Sequence, residues 1–332
     1  MSGCGVIRIG VSGWTYPPWR GVFYPKGLPH NQELAYAARR FPAIEINGTF
    51  YGLQRPDSFA HWREATPPGF VFAVKGSRYI TQMLKLKNVE TPLANFFASG
   101  LLRLGPKLGP LLWQFPPRMK FDAERFETFF ALLPRDTSEA SALARRHDAR
   151  LDKRDWLESD VHAPLRHAVE IRHESFRDPA FIRLLRRYGI ALVCADTVEW
   201  PLLMDTTADF VYCRLHGSEQ LYVSGYGPKA LAQWAARIEA WAKGDEPGDA
   251  IRVLPPAKAG GQGRDVYVFF DNDAKVRAPV DAAALIKRLK LDRPARTRRV
   301  GAPLSRRPAL SRPGSGKRAS RPAKPARRSR RG

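Results

Sequence analysis

Several ionisable side chains of this sequence stand at or beside the end of a short apolar segment. Glu45, Lys75, Glu170, Asp196 and His216 are the members of this set that can give up or take up a proton. Carboxylate, amine and imidazole groups held close together act as general acids and bases. We therefore predict that these five residues are catalytic.

A second set of side chains near the same segment ends is suited to binding. Arginine holds a carboxylate or phosphate in bidentate fashion, and aromatic rings stack on a sugar face or a nucleobase. The predicted substrate-binding residues are Trp14, Tyr16, Asn47, Phe50, Tyr51, Gln114, Arg172, His173, Arg214, Tyr222, Tyr226 and Asn272. The expected ligand is a small anionic or sugar-like molecule. The aromatic residues have an alternative interpretation as a packed loop lid.

Eight apolar segments position both sets. They are Ile7–Ser12, Ala43–Ile46, Phe70–Val74, Pro110–Trp113, Ala168–Ile171, Ile190–Ala195, Phe210–Leu215 and Val266–Phe270. Helical segments separate most of them, including a charged, Ala-rich stretch at Ser138–Ser159, whereas residues 197–209 predict an irregular connection. Strand and helix alternating eight times predict an α/β fold, a TIM-barrel-like (β/α)8 barrel, whose active sites lie at the carboxyl ends of the strands.

Strand periodicity predicts the direction of the polar groups, because side chains alternate between the two faces of a strand. If the apolar set packs under the helices, the polar set faces the barrel interior. The residues directed inward by this rule are Glu45, Asn47, Lys75, Glu170, Arg172, Cys194, Asp196, Tyr212, Arg214 and His216. At the eighth strand, either Asp271 or Asn272 could face inward.

The inward charges are expected to interact across the mouth of the barrel. Glu45 and Lys75 lie on neighbouring strands and are predicted to pair. A second network is predicted for the polar ends of strands five to seven, namely Glu170, Arg172, Asp196, Arg214 and His216. The alternative to a catalytic role is that these groups are structural ion pairs, since buried charges are costly unless paired.

The net charge of +23 belongs mostly to the end of the chain. Residues 293–332 hold fifteen Lys or Arg and no Asp or Glu, which leaves +8 for residues 1–292. The segment is rich in Pro, Ser and Arg and poor in large apolar residues, so we predict a barrel over 1–292 and a disordered basic tail over 293–332. Two interpretations of the tail remain open: non-specific nucleic-acid binding, or a solubilising or incidental segment.

The sequence also bears on the compartment. It contains no apolar run of the ~18 residues that a membrane span requires, and no secretory leader pattern, so we expect no membrane partner. Three cysteines without metal-binding spacing suit a reducing compartment. The expected location is the cytoplasm.

Six motifs resemble the DUF72 (YecE-like) family, over roughly residues 6–291. They are GVSGWTYPPWRGVFYP at Gly10–Pro25, EINGTFY at Glu45–Tyr51, GPLLWQFPP at Gly109–Pro117, EIRHESF at Glu170–Phe176, RLHG at Arg214–Gly217 and YVFFDN at Tyr267–Asn272. The family usually has Trp at position 176 and Asn at position 271. The resemblance implies a TIM-barrel-like fold and a shared site, and it supplies no mechanism.

The resulting functional expectation is an enzyme of hydrolase or lyase/isomerase type, acting on an anionic or sugar/nucleotide-like substrate at the mouth of the barrel. One alternative is a protein that binds nucleic acid or cleaves phosphodiesters. Another is a non-catalytic ligand-binding barrel. No cofactor is predicted, although carboxylates with histidine leave a divalent metal as an alternative.

Overall fold

Eight parallel strands form a closed barrel in the computed structural model, which describes residues 3–217, 219, 221–256 and 262–291. The strands are β1 (Ile7–Ser12), β2 (Ala43–Ile46), β3 (Val71–Lys75), β4 (Leu108–Gln114), β5 (His167–Glu170), β6 (Ala191–Asp196), β7 (Phe210–Leu215) and β8 (Asp265–Phe270). Each pairs in parallel with its neighbours along the chain, and β1 pairs with β8 to close the ring. The predicted barrel is confirmed.

Helices lie between most consecutive strands. They are α1 (Glu33–Ala38), α2 (Gly48–Tyr51), α3 (Pro56–Glu64), α4 (Glu90–Ala98), α5 (Ala123–Leu132), α6 (Thr137–Ala144), α7 (Pro179–Tyr188), α8 (Pro228–Lys243) and α9 (Arg277–Arg288). Asp122, Asp136 and Asp178 cap the N-termini of α5, α6 and α7 by accepting backbone N–H bonds. The helix predicted over Ser138–Ser159 is too long, because α6 ends at Ala144 and a short 3-10 turn follows at Ala149–Leu151.

The connection between β6 and β7 has no helix, as predicted from residues 197–209. The Thr207 hydroxyl fastens this segment to the barrel by donating to the carbonyl of Ile190 and accepting from the N–H of Leu192. Four residue pairs join β6 to β7, so the ring closes without a crossover helix.

Two apolar cores lie on opposite faces of the strands. The outer core packs the strands against the helices, and Ile9, Ile44 and Val169 belong to it. The inner core fills the barrel and contains Ala43, Val71, Ala73, Leu112, Ala168, Ala191, Val193, Ala195, Phe210, Tyr212, Tyr267 and Phe269. The alternation predicted for β2, β3, β5 and β7 is therefore observed.

The alternation predicted for β6 is wrong. Val193 and Ala195 face the barrel interior, and Cys194 belongs to the outer core. Residues paired across a parallel ladder point to the same face, and Asp196 pairs with the outward Leu215. Ala191, Val193 and Ala195 of β6 share the inner core with the large Tyr212 of β7, which pairs with Val193.

None of the helices in the described ranges is both long and apolar enough to cross a membrane. The predicted tail over 293–332 lies outside the described residues.

Candidate active site

Polar side chains continue the inward-facing rows of the strands toward their carboxyl ends. Ser12, Glu45, Lys75, Gln114, Glu170, Arg214 and Asp271 have the same strand parity as the inner core and lie directly beyond it. The first six of these are at most 8% exposed. The barrel thus ends in a buried polar layer, which we call the mouth.

Arg214 is the centre of the mouth and is fully buried. Its Nε and Nη2 bind Glu45 Oε2 and Oε1 at 3.1 and 2.9 Å. Its Nη1 binds Glu170 Oε2 at 2.6 Å, and Nη2 also binds Asp271 Oδ2 at 2.8 Å. The Tyr212 hydroxyl donates a further bond to Glu45. Burial lowers the pKa of Arg214, but the three carboxylates more than offset this and raise it, so the guanidinium stays charged.

A second arginine binds the other oxygen of the Glu170 carboxylate. Arg172 donates from Nε to Glu170 Oε1 at 2.8 Å, and its guanidinium lies 4.1 Å from the ring centre of Trp200. Its Nη2 reaches the Tyr222 hydroxyl at 3.4 Å. Burial raises the pKa of Glu170, but Arg214 and Arg172 lower it by more, so the pKa lies well below its ordinary value. Glu170 is therefore ionised and held from both sides.

His216 lies between two carboxylates. Its Nδ1 is 3.1 Å from Asp271 Oδ2, and its Nε2 is 3.6 Å from Glu170 Oε2. Trp200 and Tyr222 pack edge-on against the imidazole, with centroid distances of 5.6 and 5.5 Å. The ring is fully buried, and its orientation is fixed by these four neighbours.

The predicted Glu45–Lys75 pair is wrong, because Arg214 takes both oxygens of Glu45. Within the described part of the chain, no carboxylate lies within 4 Å of the Lys75 ammonium, which instead sits 4.5 Å above the ring of Phe50. Burial and then the positive charge of Arg214 lower the pKa of Lys75 from 10.5 to about 8. Lys75 is thus a desolvated amine that titrates near neutral pH.

Two aspartates after β8 behave oppositely. Burial disfavours the charge of Asp271, but Arg214 and His216 lower its pKa to about 2. Asp273 is also buried, and the negative charge of Asp271 acts on it, so its pKa rises from 3.8 to about 8. One carboxyl group is therefore ionised at neutral pH, while its neighbour retains a proton.

Tyr16 connects Asp273 to the first loop. Its hydroxyl donates to the carbonyl of Ser12 at 2.5 Å and also contacts the Asp273 carboxyl. The contact with the Tyr16 hydroxyl lowers the pKa of Asp273, whereas burial and the negative charge of Asp271 raise it and prevail. Gly13 makes room for the ring: it has a φ of +83°, and a Cβ there would lie 2.8 Å from the Tyr16 oxygen.

Several buried polar atoms of the mouth have no hydrogen-bond partner among the described residues. They are both ring nitrogens of His216, which face Asp271 and Glu170, together with Ser12 Oγ, Asn47 Oδ1, Trp200 Nε1 and Asp273 Oδ1. Buried polar groups are nearly always paired, and an unpaired one costs about 1–3 kcal/mol. The mouth therefore retains unused hydrogen-bonding capacity from five separate segments of the chain.

Three predicted site residues point away from the mouth. The Asp196 carboxylate accepts from the indole N–H of Trp234 on α8 at 2.9 Å. Tyr226 packs against Phe270 in the outer core. The Asn272 amide donates to Asp281 on α9 at 2.8 Å, which resolves the ambiguity at β8 in favour of Asp271 as the inward residue.

Other predicted residues lie around the rim. His173 caps the 3-10 turn Glu174–Phe176 by accepting the N–H of Ser175, which occupies its Nδ1. Trp14 packs edge-on against Trp62 of α3, as expected of a loop lid. Tyr51 is 68% exposed.

Sequence reasoning did not select Trp200 or Asp273. Trp200 lies in the irregular β6–β7 connection, where no periodicity indicates a direction. Asp273 follows two polar residues after β8, and the repeated acidic residue at 271 and 273 was the available signal.

The sequence allows a divalent metal site as an alternative. Across the residues that the structure describes, no three His, Cys, Asp or Glu side chains are grouped to hold a metal ion. Arg214 already forms ion pairs with the carboxylates of Glu45, Glu170 and Asp271. The carboxylate oxygens that would coordinate a hard cation such as Mg²⁺ are bound to the Arg214 guanidinium instead.

The architecture and the mouth define a (β/α)8-barrel protein with a charged, partly unsatisfied site at the carboxyl ends of its strands. The family model described as "Protein of unknown function DUF72" matches residues 8–305, and the chain belongs to this family.

Relatives and solved structures agree with this assignment. The UPF0759 protein YecE of Escherichia coli K12 is 29% identical over 194 residues, which cover 52% of this chain and 67% of YecE. The UPF0759 protein YunF of Bacillus subtilis is 28% identical over 117 residues, covering 34% of this chain and 40% of YunF.

Two crystal structures share the fold. The DUF72 protein TM1631 of Thermotoga maritima has a TM-score of 0.63 at 23% identity, over 86% of this chain and 99% of its own. The DUF72 protein EF0366 of Enterococcus faecalis has a TM-score of 0.60 at 18% identity, over 87% of this chain and 97% of its own.

Proposed function

We propose that this protein is an enzyme that performs acid–base chemistry on a small anionic or sugar-like substrate bound at the mouth. The observation that carries this proposal is the set of buried polar atoms without partners, including those on Ser12, Asn47, Trp200 and Asp273, around the ion pairs of Arg214. Stable proteins satisfy such atoms internally unless a ligand or solvent uses them. Hydroxyl-rich and anionic molecules supply the matching donors and acceptors.

Asp273 and Lys75 are the proposed proton-transfer groups. A general acid or base works best when its pKa is near the operating pH, and both groups have a pKa of about 8. At neutral pH, Asp273 is mostly protonated and can donate. Lys75 is partly neutral and can accept a proton or remain as a cation beside an anionic substrate.

The proposed anion-binding groups are Arg172 and Lys75. The Nη1 of Arg172 has no hydrogen-bond partner among the described residues, although Nε and Nη2 are used by Glu170. Arg172 is 11% exposed at its side chain, so it can reach a ligand from the cluster. Trp200 and Tyr222 add aromatic surface beside it. A carboxylate or phosphate with an attached sugar fits these groups.

Glu45, Glu170 and His216 are assigned positioning roles in this proposal. Arg214 engages both carboxylates, and their ionised forms have no proton to donate. His216 is held between Glu170 and Asp271 and therefore orients the Asp271 side chain that acts on Asp273. These groups set the electrostatics in which Lys75 and Asp273 react.

The test is a turnover assay on a panel of sugar phosphates, sugar acids and hydroxy acids, followed by ¹H NMR. The proposal predicts at least one converted compound, with conversion lost in Asp273→Asn. Asp196→Asn is the matched control, because this carboxylate points to α8, and it should retain activity. Conversion that survives in Asp273→Asn contradicts the proposal. Tight binding with no conversion of any bound compound favours a non-catalytic ligand-binding barrel instead.

A second candidate function is binding of single-stranded nucleic acid. Tyr51 is 68% exposed, and the Arg78 guanidinium lies 5.4 Å from its ring, which is an arrangement suited to base stacking. Fluorescence anisotropy with a labelled oligonucleotide at ~150 mM salt tests this in the full chain. Binding that is lost in Tyr51→Ala favours this candidate, and binding unchanged in that variant argues against it.

A further inference from the structure

Lys75 differs from the arginines of the mouth in having no anionic partner. Arg214 contacts three carboxylates and Arg172 contacts one, whereas no carboxylate among the described residues lies within 4 Å of Lys75. We propose that Lys75 is a nucleophile that forms an imine with the carbonyl group of an aldehyde or ketone substrate. This inference rests on the proposed function and names its substrate class.

The surroundings of Lys75 favour a neutral amine. The residue is 8% exposed, and this desolvation outweighs the favourable contact of the charged amine with the Phe50 ring 4.5 Å away. Arg214 places a permanent positive charge nearby. A lysine becomes a nucleophile when it is desolvated or lies next to another cation, and Lys75 meets both conditions.

The backbone around Lys75 is held in place from both sides. The Thr49 hydroxyl donates to the Lys75 carbonyl at 2.7 Å. The Gly76 backbone packs closely against the indole ring of Trp113. A Cβ at this position would lie 2.3 Å from the ring, so only glycine fits. The backbone that carries the amine is therefore fixed at the end of β3, and the Phe50 ring lies beside the end of the side chain.

The proposed step balances without an oxidant or reductant. The neutral Nζ attacks the carbonyl carbon, and the carbonyl oxygen takes the proton of the Asp273 carboxyl group. Nitrogen then gives one proton to the same oxygen, the C–O bond breaks, and water leaves. The products are a protonated imine on Lys75, one water molecule and an ionised Asp273. Hydrolysis reverses each transfer and returns the proton to Asp273.

Reductive trapping tests the proposal in the full chain. The protein is incubated at pH 7 with sodium cyanoborohydride and either pyruvate or D-glyceraldehyde, and the modified peptides are identified by mass spectrometry. With a pKa of about 8, Lys75 is neutral far more often than an ordinary lysine. We expect labelling of Lys75 on the order of tenfold faster than labelling of the exposed Lys120.

Two variants separate the possible causes of failure. Lys75→Arg keeps the charge and must lose both the label and turnover, whereas the exposed Lys87→Met must keep both. If neither probe labels Lys75 faster than Lys120, the proposal that Lys75 forms an imine is wrong. Turnover that survives in Lys75→Arg but is lost in Asp273→Asn overturns the imine and leaves the proposed function standing. Labelled Lys75 in a protein that converts nothing supports the amine as nucleophile and contradicts the proposed turnover.

Discussion

Arg214 holds both carboxylate oxygens of Glu45, at 3.1 and 2.9 Å, although two other strands separate β7 from β2 around the ring. The same guanidinium reaches Glu170 and Asp271. One side chain therefore ties three strand ends together. Its loss would leave Glu45 without an ion-pair partner among the described residues and would remove a partner from Glu170 and Asp271.

The first prediction is that Arg214→Met lowers the free energy of unfolding by about 3–5 kcal/mol, because it leaves buried charges unpaired. Arg187→Met is the control, since it breaks an exposed ion pair with Glu127 and should cost less than ~1 kcal/mol. Urea denaturation at pH 7 measures both. Equal, small losses of unfolding free energy in the two variants would show that Arg214 does not stabilise the buried charge cluster.

The second prediction concerns Asp273 and pH. Its pKa is about 8 in the folded protein and near 3.8 in the unfolded chain, so the folded state binds more protons between these values. Stability then falls as pH rises from about 4 to 8, and the full penalty remains above pH 8. Asp273→Asn cannot ionise, so it should be more stable than the wild type above pH 8.

Thermal denaturation of both proteins from pH 4 to 9 checks the second prediction. The difference between them should grow through this window and then level off. A constant difference across the whole range would mean that Asp273 titrates at its ordinary value.

The third prediction is that Lys75→Met stabilises the protein at pH 7 by up to about 3 kcal/mol, because a charged amine no longer has to be desolvated. The pKa of Lys75 is about 8 when folded and 10.5 when unfolded, so the penalty is full below pH 8 and fades as pH rises to 10.5. The advantage of the variant should fade over the same window. Urea denaturation at pH 7 and 10 tests this, and a variant less stable at pH 7 would contradict it.

The fourth prediction separates Asp196 from the mouth. Trp234→Phe removes the donor to a partly buried carboxylate and should cost about 1–3 kcal/mol. Combining it with Asp196→Asn should give strongly non-additive losses, while ligand binding at the mouth stays unchanged in each variant. Additive losses would show that Asp196 and Trp234 do not interact. Altered ligand binding in Trp234→Phe would show that this pair affects the mouth.

Strand positions and most inward residues could be predicted because both follow from local periodicity. At β2, a polar residue interrupts an apolar run, so the direction of Glu45 is unambiguous. At β6, every residue before Asp196 is apolar, and the pattern alone cannot distinguish the two faces. In the structure, Ala191 and Ala195 are on the inner face of β6, in the same core as Tyr212 of the next strand. This packing relationship cannot be seen in the sequence of β6 alone.

The pairing of the charges could not be predicted because it depends on side-chain reach. Lys75 lies on the strand next to Glu45, yet Arg214 reaches Glu45 from β7 with a bidentate geometry that lysine cannot provide. Trp200 enters the mouth from a segment without periodicity. The pKa of Asp273 is raised by burial and then by the negative charge of Asp271, and both causes require the folded loop.

The central claim is that the mouth carries a carboxyl group that holds its proton at neutral pH. A ¹³C NMR titration of aspartate-labelled protein measures this directly, with Asp273→Asn identifying the signal. The account predicts a midpoint near pH 8 for the Asp273 carboxyl carbon. A midpoint near pH 4, the ordinary value for aspartate, would contradict it.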